Sequence, residues 1–394
     1  MNKRKGIVGA VFAAACSILP LPAEAAWQPD LLVGLQSGQS AATLSSNIPV
    51  VVRSVTNGKI LWKADAGKNF SVTCKNGAAA VNGKTFSNTG KDGIEFCVED
   101  ARKLSEQITY INGRAYRGAV RILPSGNGFS IISHVTTEEY LRGVVPEEMP
   151  PEWNPEAVKA QAVAARTFAL NNRKRHSSEG YDLCATTHCQ QNSGIDKEKT
   201  GSDAAIRATA GEVVTYQGKL IDALFHTDSG GMTENSENVW GSRVPYLRAA
   251  SEVHTKTYPW EKNMTAENLV QLLDRHGKTV GSLKKVELEP YVPGKNGKER
   301  TVSGRVRQVR FTGTKGSVVV SGNDLRSWAG LNSTLFDMSL RNNVIFISGF
   351  GWGHGLGLSQ WGAKAFADEK GYKYDEILSH YYAGTVVKKL YGNE

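Results

Sequence analysis

The run from Glu138 to Leu170, EEYLRGVVPEEMPPEWNPEAVKAQAVAARTFAL, constrains the chain more than any other stretch, because prolines at 146, 150 and 155 punctuate two helix-like segments. Thr136, three residues before Glu139, predicts a capping box that opens a first helix, with Tyr140, Leu141, Val144 and Val145 as its apolar positions. Pro146 and Pro150 are expected to frame a loop. Asn154 followed by Pro155 predicts an N-cap and a second helix running to about Asn171. Its inward stripe is Val158, Ala162, Ala165, Phe168 and Ala169, and Gln161 falls on the same stripe.

Glu147 and Glu148 sit where the prolines restrict the backbone, beside Met149 and Trp153. A carboxyl held still in partly apolar surroundings has its pKa raised. A glutamic acid that keeps its proton near neutral pH is what glycosidic bond cleavage needs, since the departing sugar oxygen must be protonated. The alternative is that both glutamates are a solvated helix end.

The stretch resembles the SpoIID family of cell-wall proteins, whose signature is an E-x-Y-L-x-G-V-V-x-x-E-M-P segment followed by E-A-x-K-A-Q-A-x-A-A-R-T; here these read EEYLRGVVPEEMP and EAVKAQAVAART. The resemblance begins near Tyr116 and continues almost to the C-terminus. It implies a lytic transglycosylase that cuts peptidoglycan glycan strands stripped of stem peptides, with Glu148, the residue before Met-Pro, as the catalytic acid. Gln161 and Arg166 of the second segment become candidate substrate-binding residues. A rival from another class is a non-catalytic enhancer of a cell-wall N-acetylmuramoyl-L-alanine amidase, because relatives are described in that role.

Residues 1–25 have the form of a secretory signal: Lys3, Arg4 and Lys5 precede an apolar run, and Ala23-Glu24-Ala25 is a small-x-small cleavage site. A lipoprotein anchor at Cys16 is the alternative. Export to the wall, periplasm or exterior is expected, with an uncleaved signal as the membrane route. The chain of 394 residues carries a formal charge of +9, of which the signal holds three basic residues and one acidic. An exported basic surface meets anionic wall polymers first, and no common nucleic-acid motif is present. Glycan strands, and an amidase under the rival reading, are the expected partners.

Between Trp27 and Thr109, short alternating runs broken by Asn57-Gly58, Asn76-Gly77, Asn82-Gly83 and Asp92-Gly93 predict hairpins and a small β domain over 26–110. Cys74, Cys97, Cys184 and Cys189 remain after the signal, and pairing 74 with 97 and 184 with 189 is the simplest of three arrangements. The catalytic domain is placed at 111–394, giving an α+β chain overall.

His176, Cys184, His188 and Cys189 lie within one short loop and supply the four ligands of a tetrahedral zinc site, although their spacing is irregular. The family has a similar loop, bound to zinc in some members, which implies a structural metal; a Cys184–Cys189 disulfide is the alternative. No cofactor is expected for catalysis. Further on, Val213–Tyr216 and Leu220–Phe225 predict a hairpin about Gln217-Gly218. Asp228-Ser229-Gly230-Gly231 resembles the nucleophile loop of trypsin-like serine proteases, but Thr227 replaces the preceding glycine, so a serine hydrolase using Ser229 is the third reading. The family match instead makes His226, Ser229, Gly230, Thr233 and Glu234 a polar loop lining a sugar cleft.

In Phe350–Gly362, FGWGHGLGLSQWG, glycine occupies every second place from 349 to 357. In an extended chain Phe350, Trp352, His354, Leu356 and Leu358 would share one face and leave the other as bare backbone. Trp352, His354 and Gln360 are candidate cleft residues, with a tightly packed core strand as the alternative for the first two. Ser359 is expected to cap a helix running to about Glu369.

Overall fold

Asn-Gly pairs supply the left-handed turns that tight hairpins require. The computed structural model describes residues 28–86, 92–292 and 294–392; the expected signal, including Cys16, lies outside them. Asn76-Gly77 and Asn82-Gly83 adopt positive φ and join Phe70–Lys75 to Ala78–Val81 and that strand to Lys84–Thr85. Among the described residues, one six-stranded sheet runs Arg114–Arg117, Ile108–Ile111, Ala41–Ser46, Phe70–Lys75, Ala78–Val81, Lys84–Thr85. A seven-stranded sheet runs Leu183–Cys184, Asp30–Gln39, Gly128–Thr136, Ala119–Ser125, Ile94–Cys97, Val50–Ser54, Ile60–Ala64. Leu44, Val72 and Ile111 of the first share a buried core with Val52, Ile94, Val120 and Ile131 of the second, which makes the pair a sandwich.

Two expectations are corrected here. Residue 110 does not divide the chain, because Ala119–Ser125 pairs with Ile94–Cys97 and Gly128–Thr136 pairs with Asp30–Gln39. A sheet edge left open at 110 would expose unpaired backbone groups, and these later strands cover it. Cys74 and Cys97 are free thiols on different sheets, and Cys184 and Cys189 are free thiols as well.

Helix α1 (Thr137–Glu148) leaves the sandwich, followed by α2 (Pro155–Asn171) and α3 (Thr200–Ala208). Tyr140, Leu141, Val144 and Val145 of α1 are buried as their spacing predicts. Thr136 occupies the N-cap position but caps nothing with its side chain, since Glu139 turns to Arg117 at 2.6 Å and Arg142 at 3.3 Å. The chain does not leave the helix at Pro146 either: α1 continues through it, and Met149 N still donates to Val145 O at 3.0 Å. Glu147 and Glu148 therefore belong to the last turn of a helix.

Asn154 Oδ1 accepts from Glu156 N at 3.0 Å, the cap that the sequence predicts for α2. From Ala160 to Leu170 every residue of α2 is buried, well beyond a single stripe. A helix apolar on all sides is a central one, and α1, α3 and two late helices pack around it. Arg166 is part of this packing and not of a cleft. It is fully buried, its Nε and Nη2 reach Glu138 at 2.8 and 2.7 Å, and further guanidinium bonds go to the carbonyls of Ile206 and Glu212.

After α4 (Ser236–Trp240), residues 260–349 form a module with its own core. Thr265 caps α5 (Ala266–Arg275), accepting from Asn268 N at 3.1 Å, and buries Leu269, Leu272 and Leu273 as expected. Two three-stranded antiparallel sheets and α6 (Gly322–Ala329) complete the module. The chain returns through the glycine run to α7 (Gln360–Lys370), capped by Ser359 as predicted, and α8 (Tyr374–Tyr381). The mixture of helices and antiparallel sheets is the expected α+β class.

Deleting the Arg166 side chain strands Glu138 without its partner. Arg166→Ala is expected to cost about 3–5 kcal/mol in denaturant melts, whereas Lys63→Ala, at the exposed pair with Glu99, should change stability by about 0–1 kcal/mol.

Candidate active site

Glu148 is set on the wall of a cleft of about 370 Å³, lined also by Glu147, Phe168, Gln191, Phe225, His226, His354 and Gln360. Part of its side chain faces the cleft, while protein surrounds most of its carboxyl. Burial pushes that carboxyl up to about 7, and the neighbouring Glu147 adds to the rise. The free carbonyls at the C-terminal end of α1 act in the same direction. Against them stand two donors to the charged form, the backbone N–H of Gln191 and the side chain of Gln360.

Each donor has a traceable origin. Gln360 opens α7, and its Nε2 also donates to Gln161 Oε1 at 3.4 Å. Gln161 is fully buried within α2, so it holds Gln360 from behind and does not line the cleft. Gln191 belongs to the loop carrying the two histidines and two cysteines. That loop packs against α1 at Gly143, where a Cβ would lie 2.5 Å from Asn192 Oδ1. Ser193 N, also of this loop, donates to Glu147 Oε1 at 3.1 Å.

The ligand atoms of His176, Cys184, His188 and Cys189 lie within 4.8 Å of one another. Cys189 Sγ is 3.4 Å from His176 Nε2 and 3.6 Å from His188 Nδ1, and Cys184 Sγ is 3.7 Å from the same nitrogen. Zinc bonds of 2.0–2.3 Å at tetrahedral angles separate ligands by about 3.3–3.8 Å. The donor set therefore fits a tetrahedral ion. Glu179 Oε1, 2.6 Å from His176 Nδ1, orients that ring in the manner of a metal's outer carboxylate.

The hairpin about Gln217-Gly218 forms as expected between Thr215–Tyr216 and Lys219–Leu220, but it stops short of Phe225; Phe225–His226 instead runs parallel to Leu358–Ser359 and so meets the glycine run. That run is not extended. Gly351, Gly353, Gly355 and Gly357 all have positive φ, which turns the backbone at each and sends Trp352 outward, 46% exposed, while Leu356 is buried. The bare backbone admits protein: a Cβ on Gly353 would lie 2.6 Å from His226 Cβ.

His226 and His354 face each other with ring centroids 5.3 Å apart. His226 Nδ1 meets the carbonyl of Leu356 at 3.1 Å, so it carries the hydrogen and leaves Nε2 a bare, buried acceptor with no protein partner. His354 Nδ1 accepts from Leu356 N at 3.0 Å. Burial lowers both rings, with His354 down to about 4, and the Arg305 and Arg326 cations add to the effect.

Four other expected residues are structural. Thr233 Oγ1 is closed between Arg248 O and Ala250 N. Ser229 and Gly230 are buried; Ser229 Oγ accepts from Gly231 N at 3.1 Å and bonds to Glu252. A serine nucleophile therefore has a carboxyl where it needs an imidazole. Glu234 accepts from Asn235 N, Asn238 Nδ2, Ser303 Oγ and Thr301 Oγ1, and is removed from the cleft. Sequence reasoning missed Gln191, Phe168 and Phe225 because nothing in their own neighbourhood marks them.

A family model described as SpoIID, stage II sporulation protein, matches residues 125–216, and one for a domain of unknown function, DUF8618, matches 234–357. The stage II sporulation protein D of Bacillus subtilis is 30% identical over 274 residues, covering 66% of this chain and 76% of its own. The chain belongs to the SpoIID family. An uncharacterized protein of Brachyspira hyodysenteriae is 32% identical over 297 residues, 75% of this chain and 76% of its own. An amidase enhancer of Bacillus subtilis is 27% identical over 426 residues, 91% of this chain and 59% of its own. The first family match contains Glu148, Gln161 and the four clustered ligands, and the second covers the separate module.

Because the folded carboxyl of Glu148 titrates above its unfolded value, its proton favours the folded state most below the unfolded pKa. That contribution falls as pH rises toward about 7. Glu148→Gln should therefore gain melting temperature over the wild type between pH 5 and pH 8, and a constant difference across that range counts against the assignment.

Proposed function

We propose that the chain is an exported peptidoglycan lytic transglycosylase that cleaves the bond from N-acetylmuramic acid to N-acetylglucosamine in peptide-stripped strands. The observation that carries this reading is the burial of Glu148 on the wall of a sugar-sized cleft, which raises its carboxyl to about 7 and so keeps a proton available near neutral pH. Glu148 donates its proton to the glycosidic oxygen as the C1–O bond breaks, releasing the N-acetylglucosamine end as an alcohol. The resulting carboxylate is stabilised by the Gln191 N–H and the Gln360 amide. It then takes the proton of the muramic 6-hydroxyl, whose oxygen bonds to C1 and closes the 1,6-anhydro ring. Glu148 regains its proton and no water is consumed, so no second carboxylate is required.

His176, Cys184, His188 and Cys189 would hold a structural zinc ion. Its chemistry there is cross-linking: it ties together the loop that presents Gln191 and Ser193 to the two glutamates. This role predicts one zinc per chain by metal analysis, and a substantial loss of melting temperature in Cys184→Ser, Cys189→Ser. A double variant that melts like the wild type removes it.

The similarity to an amidase enhancer along 91% of the chain supports a second reading, in which the same surface activates a wall amidase. Purified protein alone with denuded glycan separates the two, since only the first releases product. In that assay Glu148→Gln should lose about 10²–10⁴ in rate while Glu147→Gln keeps most activity. Products should be anhydromuramyl sugars, one water lighter than reducing ends, and strands bearing stem peptides should be cut more slowly. As the acid titrates away, the wild-type rate should fall above about pH 7.

A further inference from the structure

A second cavity, of about 540 Å³, lies beside the cleft and serves no purpose described so far. One wall is α7, which contributes Trp361 and Asp368; the facing wall is the segment 252–258, and Asp228 and Glu252 form the floor. The two cavities adjoin at a single seam. Thr227 lines the cleft and Asp228 the second cavity, Gln360 lines the cleft and Trp361 the second cavity, and Trp361 N donates to Thr227 O at 3.1 Å across the seam. The linings of the two cavities are thus one residue apart along both segments, which sets the cavities side by side.

The lining has the chemistry of a pyranose site. Trp361 is 44% exposed and Tyr258 is 37% exposed, so two aromatic surfaces meet solvent where a sugar's C–H face can cover them. Trp361 is held by the edge of Trp153, with centroids 4.8 Å apart. Tyr258 is held edge-on to Trp352 at 5.5 Å. Lys256 and Tyr258 both adopt positive φ, a conformation costly for side chains of this size. They are kept there by Lys256 N bonding to Gly230 O and by Gly351 N reaching Thr257 O and Tyr258 O. Asp228 and Glu252 give the floor acceptors for hydroxyl and amide donors. Asp228 is bonded to Thr257 and Gly230, and Glu252 to Tyr381, within fixed surroundings. The volume is within the about 300–1,000 Å³ usual for small-molecule sites.

We infer that this cavity is a distal subsite for the same glycan strand, in which Trp361 and Tyr258 stack on an N-acetylhexosamine ring beyond the bond that Glu148 attacks. The inference rests on the transglycosylase reading, and the site sets substrate length without taking part in the chemistry.

The test uses full-length Glu148→Gln, which keeps both cavities, titrated calorimetrically with N-acetylglucosamine oligomers of two to six sugars. Affinity should rise by roughly tenfold once the oligomer is long enough to pass the seam, about 1.4 kcal/mol. Adding Trp361→Ala should erase that increment and leave the shortest oligomer's affinity unchanged, and Trp361→Phe should restore most of it. Tyr258→Ala should act in the same direction, which guards against a folding defect at one position. Affinity independent of length, or an equal loss for every length, overturns the subsite. No binding at any length, with wild-type cleavage of denuded strands intact, overturns the subsite and spares the reading it rests on. A length increment erased by Trp361→Ala, in a protein whose Glu148→Gln form still cleaves, keeps the subsite and removes the reading.

Discussion

The carboxyl of Glu148 is approached from three parts of the chain that are far apart in sequence, and the rest of the site follows from that convergence. Helix α1 delivers it, the backbone of Gln191 reaches it from the ligand-bearing loop, and Gln360 reaches it from the start of α7. Behind Gln360 stands Gln161, buried in the central helix. The two donors favour the carboxylate and burial favours the acid, so the group sits close to balance between its two forms. A group that must give a proton and then take one back works best in that position.

Local chemistry made much of this legible. The Asn154-Pro155 cap, the Asn-Gly turns, the leucine stripe of α5 and the Ser359 cap are each decided within a few residues, and each is found where the sequence places it. The prolines and apolar neighbours mark Glu147 and Glu148 together as candidates for a raised carboxyl, and only the family resemblance singles out Glu148. What was illegible depended on partners far away. Arg166 looks like a cleft residue until Glu138 and two carbonyls consume its guanidinium. Pro146 looks like a helix end, yet packing of Val144, Val145 and Met149 carries the helix through it. The glycine run looks like a strand, and only its contacts with Gly230, His226, Arg305 and Leu224 show why the backbone turns at each glycine.

The module of residues 260–349 has its own core and is tied to the site by buried polar bonds as well as by Leu335, which lies against Gly230. Glu234 accepts from Thr301 and Ser303, and Arg305 Nη2 donates to Ser229 O at 2.7 Å. Arg305 is fully buried with two guanidinium nitrogens unpaired. Its charge helps to keep His226 and His354 neutral, so the module contributes to the electrostatics of a cleft whose wall it does not form.

The pairing of Asp30–Gln39 with both Gly128–Thr136 and Leu183–Cys184 has a consequence for folding order. Val33 must find Leu183 across 150 residues of chain, and Leu32 and Asp182 exchange bonds at the same place. Contacts of such separation close late, because loop entropy is spent before they return anything. The strand that seats the ligand loop is thus synthesised first and completed last, and a fragment starting near residue 111 would lack it. Such a fragment would present two open sheet edges, a template for self-association, although every residue of the cleft would still be present in its sequence.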